Sequence, residues 1–337
     1  MTERTIERRH TTNKPGAFPA VEVDISVVVV NYNTAHLLQQ MLDALDAAKS
    51  HLSLQIIIVD NASSDGSTAF VEASYPAIEL IKNDKNVGFG RANNQALSRI
   101  RGQYVLLLNT DAFISSTSLT ASIEFMKRNP DCGVLGAKLV GRDGSLQPSC
   151  RYLPTPLNLF LGRMGVSAQR SWIRMIDDLA WDHNSPRECD WVTGCYYLVR
   201  RSVIEQIGLF DPRYFLYFEE VDHCRRVKQA GWKVMYFPQA EVVHLGGESA
   251  KISGQRLNRS QQVSALQIES EILYLRKSFG LAGLALSTGL TLIIDILRTV
   301  RNMVRRNQQS VALYHLSHAR SVLEILVRTK FGATPTR

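Results

Sequence analysis

Three apolar runs in the first third of the chain end in short polar stretches, and the polar residues are of types that can do chemistry. Ile25–Val30 runs into Asn31, Tyr32 and Asn33; Ile56–Val59 runs into Asp60, Asn61 and a Ser/Asp/Gly stretch; Tyr104–Leu108 runs into Asn109, Thr110 and Asp111. A carboxylate at the end of a strand can accept the imide N–H of a pyrimidine base. A second can hold a divalent cation, which in turn neutralises a diphosphate. Asp and Asn also cap turns with no further role, but three such ends in register favour a shared crevice. Later in the chain, Glu219, Glu220 and Asp222 form an acidic group at a helix start, and His244 follows a strand. Taken alone, acids at a helix start answer the helix dipole, Asp222 and Arg226 make an ordinary i,i+4 pair, and a lone histidine is an ordinary hydrogen-bonding residue.

The elements that must position these groups alternate. The β-branched run Ile25–Val30 suits a strand buried on both faces. After it, Leu37, Leu38, Met41, Leu42 and Leu45 recur at helical spacing behind Thr34 as N-cap. Strands follow at Ile56–Val59, Ile78–Ile81, Tyr104–Leu108 and Gly133–Leu139, with helices up to Tyr75, over Gly88–Ile100 and over Ser118–Asn129. This alternation predicts an α/β fold with a mostly parallel twisted sheet between helices, and such sheets bind ligands at the carboxyl ends of their strands. Residues 140–190, rich in Pro, Gly, Arg and Trp, predict no definite element. A strand is expected at Trp191–Val199, helices at Arg201–Ile207 and Glu219–Ala230, and short strands at Lys233–Phe237 and Glu241–Val243.

The chain has 337 residues and five cysteines, odd in number and without a C-x-x-C pair. That argues against a disulfide framework or a structural zinc site and for a reducing compartment. Residues 276–337 hold ten basic and two acidic residues, so the whole net charge of +8 sits there over a balanced body. A nucleic-acid-binding enzyme would spread its basic residues around the site; a basic tail suits an anionic membrane surface. Phe279–Ile294 is uncharged but short of the roughly 20 residues that span a bilayer. On a helical wheel Ile293, Ile296, Leu297, Val300 and Val304 face away from Arg298, Arg301, Arg305 and Arg306, as in a helix lying in the membrane interface. A solvated helix packed on the domain, a re-entrant hairpin or a homo-oligomer contact are the alternatives. Residues 1–22 are polar, lack the apolar stretch of a signal peptide, and are expected to form a flexible lead-in.

The segments VVVVNYN, VDNASSDGS, NVGFGRANNQA and LLLNTDAFI, followed by WVTGCYYLVRR, GLFDPRYFLYFEEVDHCRRVKQAGWKV and FPQAEVVHLGGES, resemble in content and order the family-2 glycosyltransferases of the GT-A fold, and within them the rhamnosyltransferase-like branch that builds bacterial surface polysaccharide. The resemblance covers about residues 24–250. It implies a GT-A domain over 23–254, with a nucleotide-sugar half at about 23–140 and an acceptor half at about 141–254, followed by a helical basic region over 255–337.

Carried onto this sequence, the resemblance implies that Asp60 contacts the nucleotide base and that Asn31, Tyr32 and Asn33 line base and ribose. Asn61 and Asn109 belong to the same nucleotide-sugar set. Asn86 and Gly88 open a loop before a helix, where phosphate is favoured, and Arg91 and Asn94 on that helix reach the nucleotide. Asp111 is the last residue of the family's D-x-D metal motif; Asn109 replaces the first Asp, so metal binding is expected to need the diphosphate as co-ligand. His244 completes the metal site, for Mg²⁺ or Mn²⁺, with Gly246-Gly247 allowing close backbone approach. Glu220 aligns with the catalytic base, with Glu219 and Asp222 as the neighbouring alternatives on the acceptor side, and Trp191 and Gly194 shape the acceptor pocket.

The implied reaction is an inverting displacement. A sugar, rhamnose from dTDP-rhamnose on the branch resemblance, passes from a nucleoside diphosphate (dTDP or UDP) to a hydroxyl of a lipid-linked or polysaccharide acceptor, at the inner face of the cytoplasmic membrane. A dinucleotide-dependent oxidoreductase is the rival: Gly88-Phe89-Gly90 imitates half of a Rossmann fingerprint, but Asn93 stands where Gly or Ala is needed. A pyrophosphorylase would need a Gly-rich, Arg-bearing loop where Asn31–Thr34 stand. A non-catalytic scaffold would have little reason to keep Asp111, Glu220 and His244 together.

Overall fold

The computed structural model describes residues 18–166, 174–246, 256–304 and 309–337 (side chains of 256–263 and 309 excepted). Residues 1–17 of the expected lead-in, Gly247, Arg305 and Arg306 lie outside the described residues. The chain order is β1 (Val23–Asn31), α1 (Ala35–Ala48), β2 (Leu54–Asp60), α2 (Ser67–Ser74), β3 (Glu79–Lys82), α3 (Phe89–Gln95), β4 (Gly102–Asn109), β5 (Ala112–Ile114), α4 (Ser116–Arg128), β6 (Cys132–Val140), β7 (Leu146–Gln147) and α5 (Pro156–Met164). Then come β8 (Arg187–Cys189), β9 (Tyr196–Arg200), α6 (Arg201–Ile207), α7 (Glu219–Gln229), β10 (Lys233–His244), α8 (Arg256–Val304) and α9 (Gln309–Arg328).

Alternation along each strand builds two cores, one on each side of a single sheet. From β1, Ile25, Val27 and Val29 face a core with Leu38, Met41 and Leu42 of α1 and Leu119, Ile123 and Met126 of α4. Val28 turns the other way, into a core with Ala92 of α3, Val203 of α6, Val221 and Val227 of α7, and Ile272 to Leu275 of α8. The result is a three-layer α/β/α sandwich.

Strand order in the sheet is β3-β2-β1-β4-β9-β6-β10-β5. The first four strands are parallel, as is the β6–β10 pair. The expectation of a mostly parallel sheet holds for the nucleotide half. Beyond β4 the sheet becomes mixed, because β9, β5, β7 and β8 all pair antiparallel with their neighbours. The chain leaves β1 towards β2 and β3, then returns to place β4 on the other side of β1. The carboxyl ends of β1 and β4 are therefore the topological switch point.

Several local departures from sequence expectation have physical causes. The single strand β10 replaces two short ones: its pairing with β6 shifts register between Phe237 and Glu241, a bulge that accommodates Pro238 without breaking the ladder. The expected strand Trp191–Val199 starts only at Tyr196, after a tight turn at Gly194. Within 140–190, α5 is set by Thr155, whose side chain accepts from the Asn158 N–H while Asn158 answers the Thr155 N–H, with Pro156 at the first position. The helix expected over Gly88–Ile100 is an α-helical piece followed by a 3₁₀ turn at Leu97–Arg99. All five cysteines are free and buried.

α8 is two helical pieces meeting at Gly280, whose φ of 71° lies in the left-handed region that glycine reaches without strain. The first piece packs into the sheet's second core. Beyond Gly280, α8 and α9 form an antiparallel hairpin with its polarity reversed. Ser287, Thr291, Asp295, Thr299 and Asn302 are buried, while Ile293, Ile296, Leu297, Val300 and Val304 are exposed together with Leu313 and Val327 of α9. Asp295 sits inside with His318 Nδ1 at 2.6 Å and His315 Nδ1 at 3.4 Å. The uncharged run alone is short for a span, but Ser264–Val304 as a whole is long and apolar enough to cross a membrane by length and composition.

Candidate active site

The switch point gathers the expected crevice residues through strand register. Asn31 lies beside Asp60, and Val30 beside Asn109. Asp60 is buried at 2% exposure, and both of its oxygens are held, one by Asn31 Nδ2 at 2.7 Å and the other by the Ser63 N–H at 2.9 Å. Thr34 hydroxyl donates to Asn31 Oδ1 and ties the loop across to Thr110. Asn61 donates to Asn86 Oδ1 and accepts from the Val87 N–H, so the loop after β3 is ordered from the end of β2. Tyr32 and Asn33 are half-buried at the rim, with Asn33 in the left-handed region at φ 54°. These bonds leave the crevice pre-arranged, since every buried polar group in it has a partner.

Asp111 and His244 come together because β5 reverses the chain directly after Asp111. Ala112 of β5 pairs antiparallel with His244 at the end of β10, and the Leu245 N–H donates to the Asp111 carbonyl. His244 Nε2 stands 3.6 Å from Asp111 Oδ1. Gln147 on β7 donates its amide to the His244 carbonyl at 2.9 Å, which turns its Oε1 to His244 Nδ1 at 2.8 Å. An acceptor opposite Nδ1 puts the proton there and leaves the Nε2 lone pair towards the carboxylate. Burial lowers the His244 pKa, opposed by Asp111, so the ring is neutral near pH 7. A neutral imidazole and a carboxylate oxygen this far apart, with the far ring nitrogen anchored, is a donor pair that fits one divalent cation. Three or more ligating side chains do not cluster anywhere among the described residues. A cation held by Asp111 and His244 would therefore need oxygen from a ligand or water, consistent with Asn109 standing where the family's motif has an acid.

The acids of α7 are presented by a strained turn. Tyr217 (φ 70°) and Phe218 (φ 67°) both occupy the left-handed region, at a cost of order 1–3 kcal/mol each. α8 holds them there: Ser270 hydroxyl donates to the Leu216 carbonyl at 2.8 Å, and Tyr274 packs on Phe218 with ring centroids 5.3 Å apart. Glu220 follows, near Gly194, whose backbone N–H favours its charged form, while Oε2 has no partner. Burial raises its pKa, opposed by backbone N–H groups and by Arg151. Gly194 precedes Cys195, whose carbonyl accepts from the Asn109 N–H at 3.0 Å. Glu220 therefore stands beside the backbone that pairs with Asn109, the last residue of β4. Glu219 is 3% exposed, its Oε2 also lacks a partner, and burial with the neighbouring Glu220 charge pushes its pKa well up.

Other expected contacts are absorbed into the scaffold. Asp222 is buried between Arg226 Nε at 3.0 Å and Lys277 Nζ at 2.6 Å, ion pairs that clamp α7 to α8. Trp191 is 6% exposed, with one face under the Arg151 guanidinium at 4.9 Å and its N–H on the Tyr152 carbonyl, so it offers no open platform to a sugar. Arg91 donates to the carbonyls of Pro212 and Arg337, and Asn94 bonds both ways with the Phe210 backbone. At the start of α3 the Gly88 N–H goes to Asn86 Oδ1 and the Phe89 N–H to the Phe215 carbonyl. A Cβ on Gly88 would lie 2.4 Å from that carbonyl. The glycine is needed for close approach of the 210–218 loop, and the Gly88 and Phe89 N–H groups are taken by protein acceptors. Gln147, Thr34, Ser63 and Arg151 are site residues that no motif in the sequence singled out; Gln147 lies in the stretch where no element could be assigned.

The family model described as Glycosyl transferase family 2 matches residues 26–208, more than half of the chain. The chain belongs to glycosyltransferase family 2. The transferase is 32% identical over 235 residues to an N-acetylglucosaminyl-diphospho-decaprenol L-rhamnosyltransferase of Mycobacterium tuberculosis, covering 65% of this chain and 75% of that one. It is 24% identical to the rhamnosyltransferase WbbL of Escherichia coli K12, over 65% and 83% of the two chains. Among solved structures, mannosyltransferase PcManGT from Pyrobaculum calidifontis, in complex with GDP-Man and Mn²⁺, superposes with a TM-score of 0.51 at 15% identity, covering 92% of this chain and 91% of that chain, and shares its fold.

Proposed function

We propose that the transferase moves L-rhamnose from dTDP-rhamnose to a hydroxyl of a lipid-linked saccharide, with Glu220 as the general base. The observation that carries the chemistry is the pairing of Asp111 with His244, far apart in sequence, beyond the end of β4 and at the end of β10, with Nε2 3.6 Å from Oδ1; Glu220 at the start of α7 stands beside Gly194, next to the Cys195 carbonyl that accepts from the Asn109 N–H. The crevice between β1 and β2 would take the nucleotide, with Asp60 fixed by Asn31 and Ser63 so that its remaining lone pairs meet the base. Asp111 and the neutral His244 would hold Mg²⁺ or Mn²⁺ together with the diphosphate, and the ion would supply charge neutralisation for the leaving group. Glu220, buried beside Gly194 with Oε2 unpartnered, is suited to take a proton from an incoming hydroxyl, and its raised pKa strengthens it as a base. The named relatives in Mycobacterium tuberculosis and Escherichia coli support rhamnose as the sugar, and the first of them supports a diphospho-polyprenol acceptor.

The hairpin of α8 and α9, apolar outside and polar inside over a basic sequence, supports a seat in the inner face of the cytoplasmic membrane. The test is transfer from a panel of radiolabelled dTDP-rhamnose, UDP-GlcNAc and GDP-mannose to a short-chain prenyl-diphospho-GlcNAc, with Mn²⁺ or Mg²⁺ and with EDTA. Transfer from dTDP-rhamnose alone, abolished by EDTA, is the expected result; preference for another donor, or full activity in EDTA, would overturn the donor or metal assignment.

A further inference from the structure

Outside the crevice, a cavity lies where the first piece of α8, its kink and the segment after α9 meet. Its volume is about 600 Å³, within the range of small-molecule sites, and it is lined by Arg213, Arg276, Lys277, Ser278, Gly280 and Gly332, with Phe279 and Ala333. Three cations face it. Asp211 pairs with Arg213 Nη2 at 2.6 Å and with Lys277 at 2.8 Å, and Lys277 also pairs with Asp222. Against the effect of burial, the Arg213 and Lys277 partners hold Asp211 far below the ordinary carboxylate range, so it is charged. Arg226 also pairs with Asp222, so cations outnumber the two carboxylates, and Arg276 is the one that pairs with neither. It has no ion-pair or hydrogen-bond partner among the described residues. Ser278 Oγ on the same wall is buried with no partner.

The walls are built by backbone that only glycine suits. Gly280 (φ 71°) opens the kink, and Gly332 (φ 72°) lies so close that an added Cβ would come within 2.7 Å of Arg276 Cβ and 2.9 Å of the Ile272 carbonyl. The residues next to these glycines, Leu281 and Phe331, are both 54% exposed, and Leu286 follows at 57%. An unpaired guanidinium and an orphaned hydroxyl inside, with large apolar side chains at the rim, are complementary to a ligand with an anionic head and an apolar chain.

We propose that this cavity binds a phosphate or diphosphate ester carried on a lipid chain, through Arg276 and Ser278, with the chain running over Leu281 and Phe331. Resting on the transferase reading above, the ligand is the diphosphate of the lipid-linked acceptor. The cavity backs onto α7, since Lys277 in its wall pairs with Asp222, two residues beyond Glu220.

The test uses the full chain in EDTA, so that the metal site cannot chelate the probe, and measures binding of farnesyl diphosphate by calorimetry. It needs no turnover, so it reads the cavity even if the donor or acceptor assignment fails. Farnesyl diphosphate should bind at least tenfold tighter than inorganic pyrophosphate or farnesol. Arg276→Gln should weaken it at least tenfold and Arg276→Lys by less, with dTDP binding unchanged in both. Vesicles of phosphatidylglycerol that failed to compete would assign the site to the isoprenoid acceptor; vesicles that displaced the probe would assign it to bilayer headgroups, with the same phosphate chemistry. Unchanged farnesyl diphosphate affinity in Arg276→Gln, or equal affinity for pyrophosphate and farnesyl diphosphate, would overturn the proposal.

Discussion

The crevice at the ends of β1 and β2 and the acidic turn before α7 treat their carboxylates in opposite ways. Asp60 has a donor on each oxygen, and its neighbours Asn31, Asn61, Ser63 and Thr34 form a closed network. Glu219 and Glu220 each leave an oxygen unpartnered, are raised in pKa by burial, and follow two residues in the left-handed region. A group that must hold a ligand in one pose is best fixed beforehand; a group that must exchange a proton has to keep a lone pair open and bear the destabilisation. In this transferase, hydrogen-bond satisfaction separates the crevice proposed to bind from the turn proposed to react more clearly than residue type does.

Breaking the reacting side has the largest expected effect. Glu220→Gln should lower transfer by roughly 10²–10⁴-fold while calorimetry finds dTDP affinity unchanged; near-normal turnover would remove Glu220 from its role. The acid limb of the kcat profile should lie above the carboxylate's ordinary value of 4.5, because burial raises it and only the ionised form accepts a proton. Next, Gln147→Ala frees His244 to rotate and to change tautomer. Mn²⁺ affinity in the presence of dTDP, measured by electron paramagnetic resonance, should fall about 10–100-fold, and an unchanged affinity would show that Gln147 does not orient the ring.

In the crevice, Asn61→Ala strips the Val87 N–H of its acceptor and the Asn86 amide oxygen of one of its two donors. It should cost about 1–3 kcal/mol in urea unfolding and weaken dTDP binding. The smallest effect sharpens the contrast from the other direction. Glu219 ionises more readily in the unfolded chain, so that chain holds fewer protons between 4.5 and the raised native value, and stability falls as pH rises through that window. Glu219→Gln should therefore stabilise the fold by about 1 kcal/mol at pH 8 and by much less at pH 4; equal melting temperatures at both values would contradict the buried-charge argument.

Much of this architecture is written in local pattern. The strands β1, β2 and β4 are apolar runs because both their faces are buried, and their ends named the crevice before any fold was known. β5, β7 and β8 have two or three residues each, too few for a period to register, yet β5 is what delivers Asp111 to His244. α5 did carry a signal, the Thr155/Pro156/Asn158 start, hidden among prolines and glycines. Motif order named Asp60, Asp111 and His244, and the fold brings them to strand ends, whereas the scaffold bonds of Asp222, Arg91 and Trp191 were not legible. Their partners Lys277, Pro212 and Arg151 come from distant segments, and no local spacing tells a clamp from a contact.

The central claim is that Asp111 and His244 hold one divalent ion jointly with the nucleotide diphosphate. Mn²⁺ titrated into the wild-type chain, Asp111→Asn and His244→Ala, each with and without dTDP, tests it most directly by the paramagnetic resonance of bound and free ion. The account predicts one Mn²⁺ bound by the wild type only when dTDP is present, and its loss in both variants. Tight binding without nucleotide, or binding that survives either substitution, would contradict it.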